Sequence, residues 1–419
     1  MKTPPWAYAL GEFGLSLPSQ VVGTYLTFYF SEQLGLALLY LALARGINTV
    51  WDIVNDPLSG YLSDRTRHPR GRRWPWLRAG LPLYVLAMIP LWLAPEGWGQ
   101  WGLFAFLLVG LLLFETATTV VYLNHNALFP ALYTEEAERV RVNTLRRVAG
   151  LLGIFAGATL SPLIFDRMGF GALVGLWAVV AAACLGVYFA NLREPPAPQL
   201  ERPPPFLPNL LDTLKSPVFA LMLLVVALVQ VGVGVINTGL PFYNKYVLGG
   251  PDSDIALIFG AVLGTALVSA AAWPWLARRL GLVNCWLLAL GLFALALVPL
   301  WFTDSLPTVL VLGLPLGFAV GGIVVLQDVV LARLIDADAE RAGRRREGAI
   351  YGSAATVVKL SGLLNSVVLA SLTPLFGFVS GDIPGPDPQT AFRFLMAGPP
   401  LIALVLAFAL AMWLRPRIA

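Results

Sequence analysis

The chain has 419 residues, 58% of them hydrophobic and only 12% charged, with a mean hydropathy of +0.74. That balance excludes a soluble globule, and the length and number of the apolar runs exclude the short alternating strands of a membrane β-barrel. The net charge of +4 and pI near 9.1 do not point to nucleic acid, because the arginines are split among separate short loops.

Apolar runs of about 20 residues predict twelve helices. Six fall near 8–30, 35–62, 75–94, 100–130, 143–166 and 170–190, and six near 217–245, 254–278, 281–302, 306–334, 348–374 and 391–414. The first follows a single Lys and has no small-residue cleavage site behind a short hydrophobic region, so no cleavable signal peptide is expected. The second contains Asp52 and Asp56, spaced i, i+4 and therefore on one helix face. Carboxylates inside a membrane segment are costly, and two so close repel unless a cation or proton lies between them, which describes a cation site. Asn55, on the same turn, offers a further oxygen.

Between the two sets of six, REPPAPQLERPPPFLP (193–208) holds seven prolines, which preclude a continuous helix. The expected organisation is an N-terminal half at 1–192, a cytoplasmic Pro-rich linker at 193–216 and a C-terminal half at 217–419. AMIPLWL in the third helix and ALVPLWF in the ninth hint that the halves are repeats.

The arginines lie after helices two (Arg65, Arg67, Arg70, Arg72, Arg73), four (Arg139, Arg141), eight (Arg278, Arg279) and ten (Arg341, Arg344, Arg345, Arg346), and the opposite loops are poor in Lys and Arg. The positive-inside rule then puts both termini in the cytoplasm. Cys184 and Cys285 read as small hydrophobes, and His68 and His125 as a loop charge and a satisfied polar residue at a helix end. No P-loop, metal-ligand cluster or catalytic triad emerges, so neither an enzyme nor a bound cofactor is expected.

Within the later helices, Lys359 lies too deep for easy snorkelling and needs an anionic partner, for which Asp52 and Asp56 are the expected pair. Gln230, Asn237 and Asn244 recur every seven residues on one face that could line a cavity, and interhelical contacts explain such a stripe almost as well. Gln327 and Asp328 invite the same two readings. Gly153 and Gly157 read as close helix packing. Glu12 reads as an interfacial carboxylate, and Glu115 as either a ligand or a packing residue.

GYLSDRTRHPRGRR supplies Gly60, Asp64, Arg65, Gly71, Arg72 and Arg73, and resembles the gating signature between helices two and three of the major facilitator superfamily, with extra residues before GRR. The match to its glycoside–pentoside–hexuronide:cation symporter branch is stricter. That branch shows WDxxNDPxxG, filled here by Trp51, Asp52, Asn55, Asp56, Pro57 and Gly60. It also shows a Pro, an acidic ER stretch and an Arg entering helix five, here Pro130, Glu138, Arg139 and Arg147, and a helix-eleven Lys in a VVK context, here Lys359.

The resemblance implies an all-α polytopic membrane protein of the major facilitator fold, with twelve transmembrane helices in two six-helix halves. It adds Thr119 of helix four to a cation site made by Asp52, Asp56 and Asn55, and gives Lys359 a coupling role. The only metal implied is an alkali cation, and the coupling ion is sodium or a proton. Melibiose-type members hold sugar with carboxylates on helices one and four; Ser16 and Tyr122 stand there, leaving Arg147 of that set. A sugar would rest on Ser16, Ser19, Gln20, Tyr122, Arg147 and Asn237. Lysophospholipid symporters also resemble this branch and lack the sugar carboxylates.

The expected function is thus symport of a small organic solute, a sugar or glycoside first, between the halves by alternating access. A sodium-coupled transporter of lysophospholipid or another amphiphile is the rival substrate reading, and a non-transporting membrane sensor or assembly protein the rival class. Partners are the solute, the coupling cation and membrane lipids, with no nucleic acid. The expected location is the bacterial inner membrane.

Overall fold

A computed structural model describes residues 3–194, 215–342 and 347–418. Most of the Pro-rich linker, 195–214, and Arg344, Arg345 and Arg346 lie outside them. The apolar runs form α1 (Pro5–Phe28, with a π turn at Tyr29–Gln33), α2 (Leu38–Arg65), α3 (Trp74–Met88, with a 3-10 turn at Pro90–Trp92) and α4 (Gln100–Leu132). Next, α5 runs from Glu136–Phe155 through a π turn at Ala156–Leu160 to residue 168. Gly169, at φ 78° and ψ 169°, breaks the helix there, and α6 occupies 170–190.

The remaining spans are α7 (Pro217–Tyr243, with a π turn at Asn244–Leu248), α8 (Ser253–Ser269 and Ala272–Leu280), α9 (Leu282–Leu297, with a 3-10 turn at Val298–Trp301), α10 (Leu306–Ala342), α11 (Glu347–Ala370, then Leu372–Phe376) and α12 (Pro388–Ile418). Three differ from the sequence reading, α10 first, which runs on to Ala342 rather than ending near 334. α5 starts at Glu136 rather than near 143, because Glu136 and Glu138 sit in its first turn, where carboxylates complement the positive end of the helix dipole. α8 is bent by 54° between its two pieces instead of running straight.

The chain divides into two compact units, Met1–Pro203 with Ser380–Asp382, and Pro204–Val379 with Ile383–Ala419. Inside the first, α1 packs on α5 and α6, α4 on α2 and α3, and α3 on α6. Inside the second, α7 packs on α11 and α12, α10 on α8 and α9, and α9 on α12. The second scheme is the first advanced by six helices. The IPLW and VPLW segments, alike in sequence, both form 3-10 turns closing the third helix of their unit. The two units therefore repeat one internal packing scheme.

Among the described residues, and with α5 and α6 taken as one continuous stretch, seven helices are long and apolar enough to cross a membrane on their own, or eight if the bent α8 counts as one span. Large apolar side chains cover the outside, among them Trp101, Val179, Leu295 and Val311. No solvent but lipid tolerates that coat, so the chain is an integral membrane protein. The α1–α5 contact is close because it uses glycine: a Cβ on Gly153 would lie 2.8 Å from the Phe13 carbonyl oxygen, and one on Gly157 3.0 Å from that of Leu17.

Candidate functional site

From Arg45 onward α2 is built inside out. Arg45, Asn48, Asp52, Asn55, Ser59 and Ser63 follow at steps of three or four residues, and the last four are buried, Asp52 with 9% of its surface exposed. Ile47, Val50, Val54, Leu58 and Leu62, on the other side, are exposed. A helix of this kind satisfies its polar face against a neighbour, and here that neighbour is α4.

The rungs of the α2–α4 seam are hydrogen bonds. Asn48 donates to Glu115 Oε2 at 3.4 Å, Trp51 donates its indole N–H to Thr116 Oγ1 at 2.9 Å, and Thr119 donates its hydroxyl to Asp52 Oδ1 at 3.2 Å. Ser59 donates to Asn55 Oδ1 at 3.2 Å, while Asn55 Nδ2 is buried without a partner among the described residues. Asp56, half-buried, stands one turn beyond Asp52. Arg45 donates to the Val22 carbonyl at 3.1 Å and to Thr27 Oγ1 at 3.0 Å, tying α1 to the same face. Asp52, Asn55 and Thr119 therefore occupy one buried seam, and its carboxylate, amide and hydroxyl oxygens are hard donors suited to a small alkali cation.

A second polar group lies on α1. Ser19 Oγ meets Tyr84 Oη at 2.8 Å; Tyr84 gives its proton to the Leu15 carbonyl at 2.6 Å, so Ser19 is the donor. Tyr122 neighbours both Ser16 and Ser19. Gln20 is turned along its own helix, donating to Thr24 Oγ1 at 2.8 Å.

Two successive arginines of α5 lie at this level: Arg147 is exposed, and Arg146 reaches inward, its Nε 3.3 Å from Glu12 Oε2. Neighbouring positions on a helix point about 100° apart, so the two side chains face different surroundings. Glu12 in turn is no surface carboxylate, because His125 Nε2 lies 3.2 Å from the same oxygen.

The arginine-rich segment after α2 closes its polar stripe. Arg73, buried, donates to Asp64 and Ser63 and, at 3.2 Å, to Asn124 Oδ1. Glu194, which sequence reading passed over inside a Pro-rich run, accepts the backbone N–H groups of Arg73 and Trp74 at 3.0 and 2.9 Å and so caps α3. Burial pushes its carboxyl above the usual glutamate value, the two amides and the Arg73 charge opposing. Gly71, at φ 106°, leaves free the space that the Glu194 carboxylate fills. Arg65 lies over the Tyr61 ring, Arg72 is half-buried, and Gly60 faces Leu123.

In the second unit the polar stripe of α7 separates into different roles. Asn244 is fully buried and donates to the Gly250 and Pro251 carbonyls at 3.3 and 2.9 Å, which makes it a structural cap rather than a cavity residue. Asn237 lines an apolar cavity of about 90 Å³ with Ile236, Leu240, Phe259, Phe293 and Met396. Lys359 is half-buried in α11, and Asp328 is exposed.

Residues 7–416 match a family described as MFS/sugar transport protein. The isoprimeverose transporter of Lactiplantibacillus pentosus is 22% identical over 96% of this chain and 87% of its own length. An uncharacterized symporter of Synechocystis, sll1374, is 32% identical over 39% of this chain, and sodium-dependent lysophosphatidylcholine symporter 1-B of Danio rerio 27% over 38%. In those two cases the match spans 31% and 30% of the relative's length. Among solved structures, the nucleoside transporter NupG superposes with a TM-score of 0.73 at 12% identity over 97% of this chain and 98% of its own. A bacterial homologue of the iron transporter ferroportin, inward-facing, gives 0.71 at 18% over 98% of each. These structures share the fold. On the family match over nearly its whole length, the chain belongs to the MFS/sugar transport family of the major facilitator superfamily.

Proposed function

We propose that this protein is a cation-coupled symporter that moves a small organic solute by alternating access, with Asp52, Asp56, Asn55 and Thr119 holding the coupling ion, sodium or a proton. The observation that carries the reading is the Thr119–Asp52 hydrogen bond inside a buried seam that also holds the Asn55 side chain. Static packing would have no use for carboxylates at this cost. A sugar or glycoside is the first choice of solute: Ser16, Ser19, Tyr84 and Tyr122 gather hydroxyls suited to another hydroxylated molecule, and the relative matched over almost its full length is an isoprimeverose transporter. A lysophospholipid is the second, favoured by the apolar cavity around Asn237 and by the lysophosphatidylcholine symporter relatives. The arginine-rich loops support a reading in which both termini are cytoplasmic and the membrane is a bacterial inner one.

The test is uptake into proteoliposomes, paired with thermal unfolding in the presence of sodium, lithium, sugars and lysophospholipids, since ligands of the native state raise its stability. Asp52→Asn and Asp56→Asn should each abolish cation-dependent accumulation in a folded protein. Full coupled uptake by the double variant rejects the cation site. Saturable stabilisation by lysophospholipid, with no response to any sugar, rejects the first choice of solute.

A further inference from the structure

The chain contains two histidines, His68 and His125. His125, in α4, is wholly shielded, and both of its ring nitrogens are engaged. Nε2 lies 3.2 Å from Glu12 Oε2 and Nδ1 lies 3.0 Å from Tyr188 Oη. Tyr8 stacks on the ring with centroids 4.2 Å apart and donates its hydroxyl to His125's own carbonyl at 2.7 Å, so the ring is fixed in place. Glu12 and Arg146 keep 16% and 14% of their side chains exposed. They connect the enclosed ring to the outside.

We infer that His125 and Glu12 form a proton-binding site distinct from the Asp52 and Asp56 carboxylates. With the ring neutral, Nε2–H donates to the Glu12 carboxylate and Nδ1 accepts the Tyr188 hydroxyl proton. A proton bound at Nδ1 turns the ring into imidazolium; the Tyr188 hydroxyl rotates and its oxygen accepts the new N–H. The site gains one positive charge, no covalent bond between heavy atoms changes, and the ring keeps both hydrogen bonds in either state. A histidine held only for packing needs a partner set that fits one state; this set fits two, and histidine is the side chain that changes charge near neutral pH.

Around this pair, α1 presents Tyr8 and Glu12, α5 presents Arg146 and, farther from Glu12, Arg147, and α6 presents Tyr188. Tyr133, just past α4, meets Tyr8 edge-on. α2 and α3 pack against another side of α4, where Asp64 and Arg73 meet Asn124. Arg146 and a protonated His125 claim the same carboxylate oxygen. Proton binding at His125 therefore loosens the Arg146–Glu12 pair that joins α5 to α1.

The full chain with His68→Gln carries one histidine, and 15N-histidine labelling in nanodiscs then reports His125 alone. The ring should titrate reversibly between about pH 5 and 8. Glu12→Gln keeps an acceptor but removes the charge, so half-protonation should need at least about tenfold more protons. Arg146→Gln removes the competing cation and should shift the midpoint the opposite way. Asp52→Asn with Asp56→Asn should leave the titration in place, which separates this site from the coupling-ion proposal. A ring that holds one protonation state from about pH 4 to 9 in a protein folded by circular dichroism overturns the inference. So does a midpoint indifferent to Glu12→Gln and Arg146→Gln; if Glu12→Gln fails to fold, Arg146→Gln decides alone.

Discussion

The α2–α4 seam of the first unit and the α8–α10 seam of the second occupy the same place in the repeat and are built on opposite principles. The first meets through Asp52, Thr119, Asn48 and Glu115. The second meets through backbone: Gly313, Gly317 and Gly321 lie four apart on α10, and a Cβ on Gly321 would come within 2.6 Å of the Ala266 carbonyl oxygen. Lipid supplies no hydrophobic drive between helices, so close approach of small residues is one way to hold a pair and buried hydrogen bonds the other. Of the two seams, the polar one carries the side-chain groups that a ligand could engage.

Gly317→Leu is the harshest test of this contrast. Its side chain would strike the Val262 carbonyl and the Thr265 side chain, costing about 1–3 kcal/mol or more from overpacking. The unfolding temperature in detergent should fall sharply, yet stabilisation by the coupling ion should survive in the folded fraction. Loss of that response with stability intact would mean that the seams do not divide the work.

A gentler change acts on the polar seam. Thr119→Val removes the hydroxyl given to Asp52 and keeps the shape, for a stability loss of about 1 kcal/mol. Binding of the coupling ion, followed by thermal shift, should weaken about fivefold if the loss of one ligand or orienting bond is of that size. Unaltered ion affinity would remove Thr119 from the site.

The turns after these helices repeat the contrast. In the second unit the α8–α9 turn hinges on Gly281, at φ 87°, with Arg279 over Trp275. In the first, Arg73, Asp64 and Glu194 clamp the α2–α3 loop. Because burial raises the Glu194 carboxyl, the stability tied to it is present below the ordinary glutamate value, about pH 4.3, and is lost as pH rises through the elevated value. Glu194→Gln should flatten that decline in unfolding temperature with pH, a small effect. An unchanged profile would show that the carboxylate is fully compensated by its amides.

Much of this was legible in the sequence, and the exceptions share a cause. Helix positions follow from apolar runs because the membrane imposes one length scale on all of them. The α2 carboxylates were legible for the same reason, since a charge in such a run needs an explanation. Glu12, His125 and Arg146 were not, because each is unremarkable in its own segment and they meet only where α1, α4 and α5 come together. Glu194 was hidden by its prolines. Asn244 shared a spacing with Asn237, and periodicity cannot distinguish a residue that caps a turn from one that faces a cavity.

The inside-out construction of α2 also bears on how the protein is made. α2 is not among the helices apolar enough to cross a membrane by themselves, and two carboxylates at roughly 3 kcal/mol each explain why. Left alone in hydrocarbon, its polar stripe would have nothing to bond. The stripe finds partners on α4, which leaves the ribosome only after α3. The expected consequence is that α2 inserts stably only once α4 is present, so a chain truncated after α3 should leave α2 accessible to water-soluble thiol reagents at an introduced cysteine, and one truncated after α4 should not.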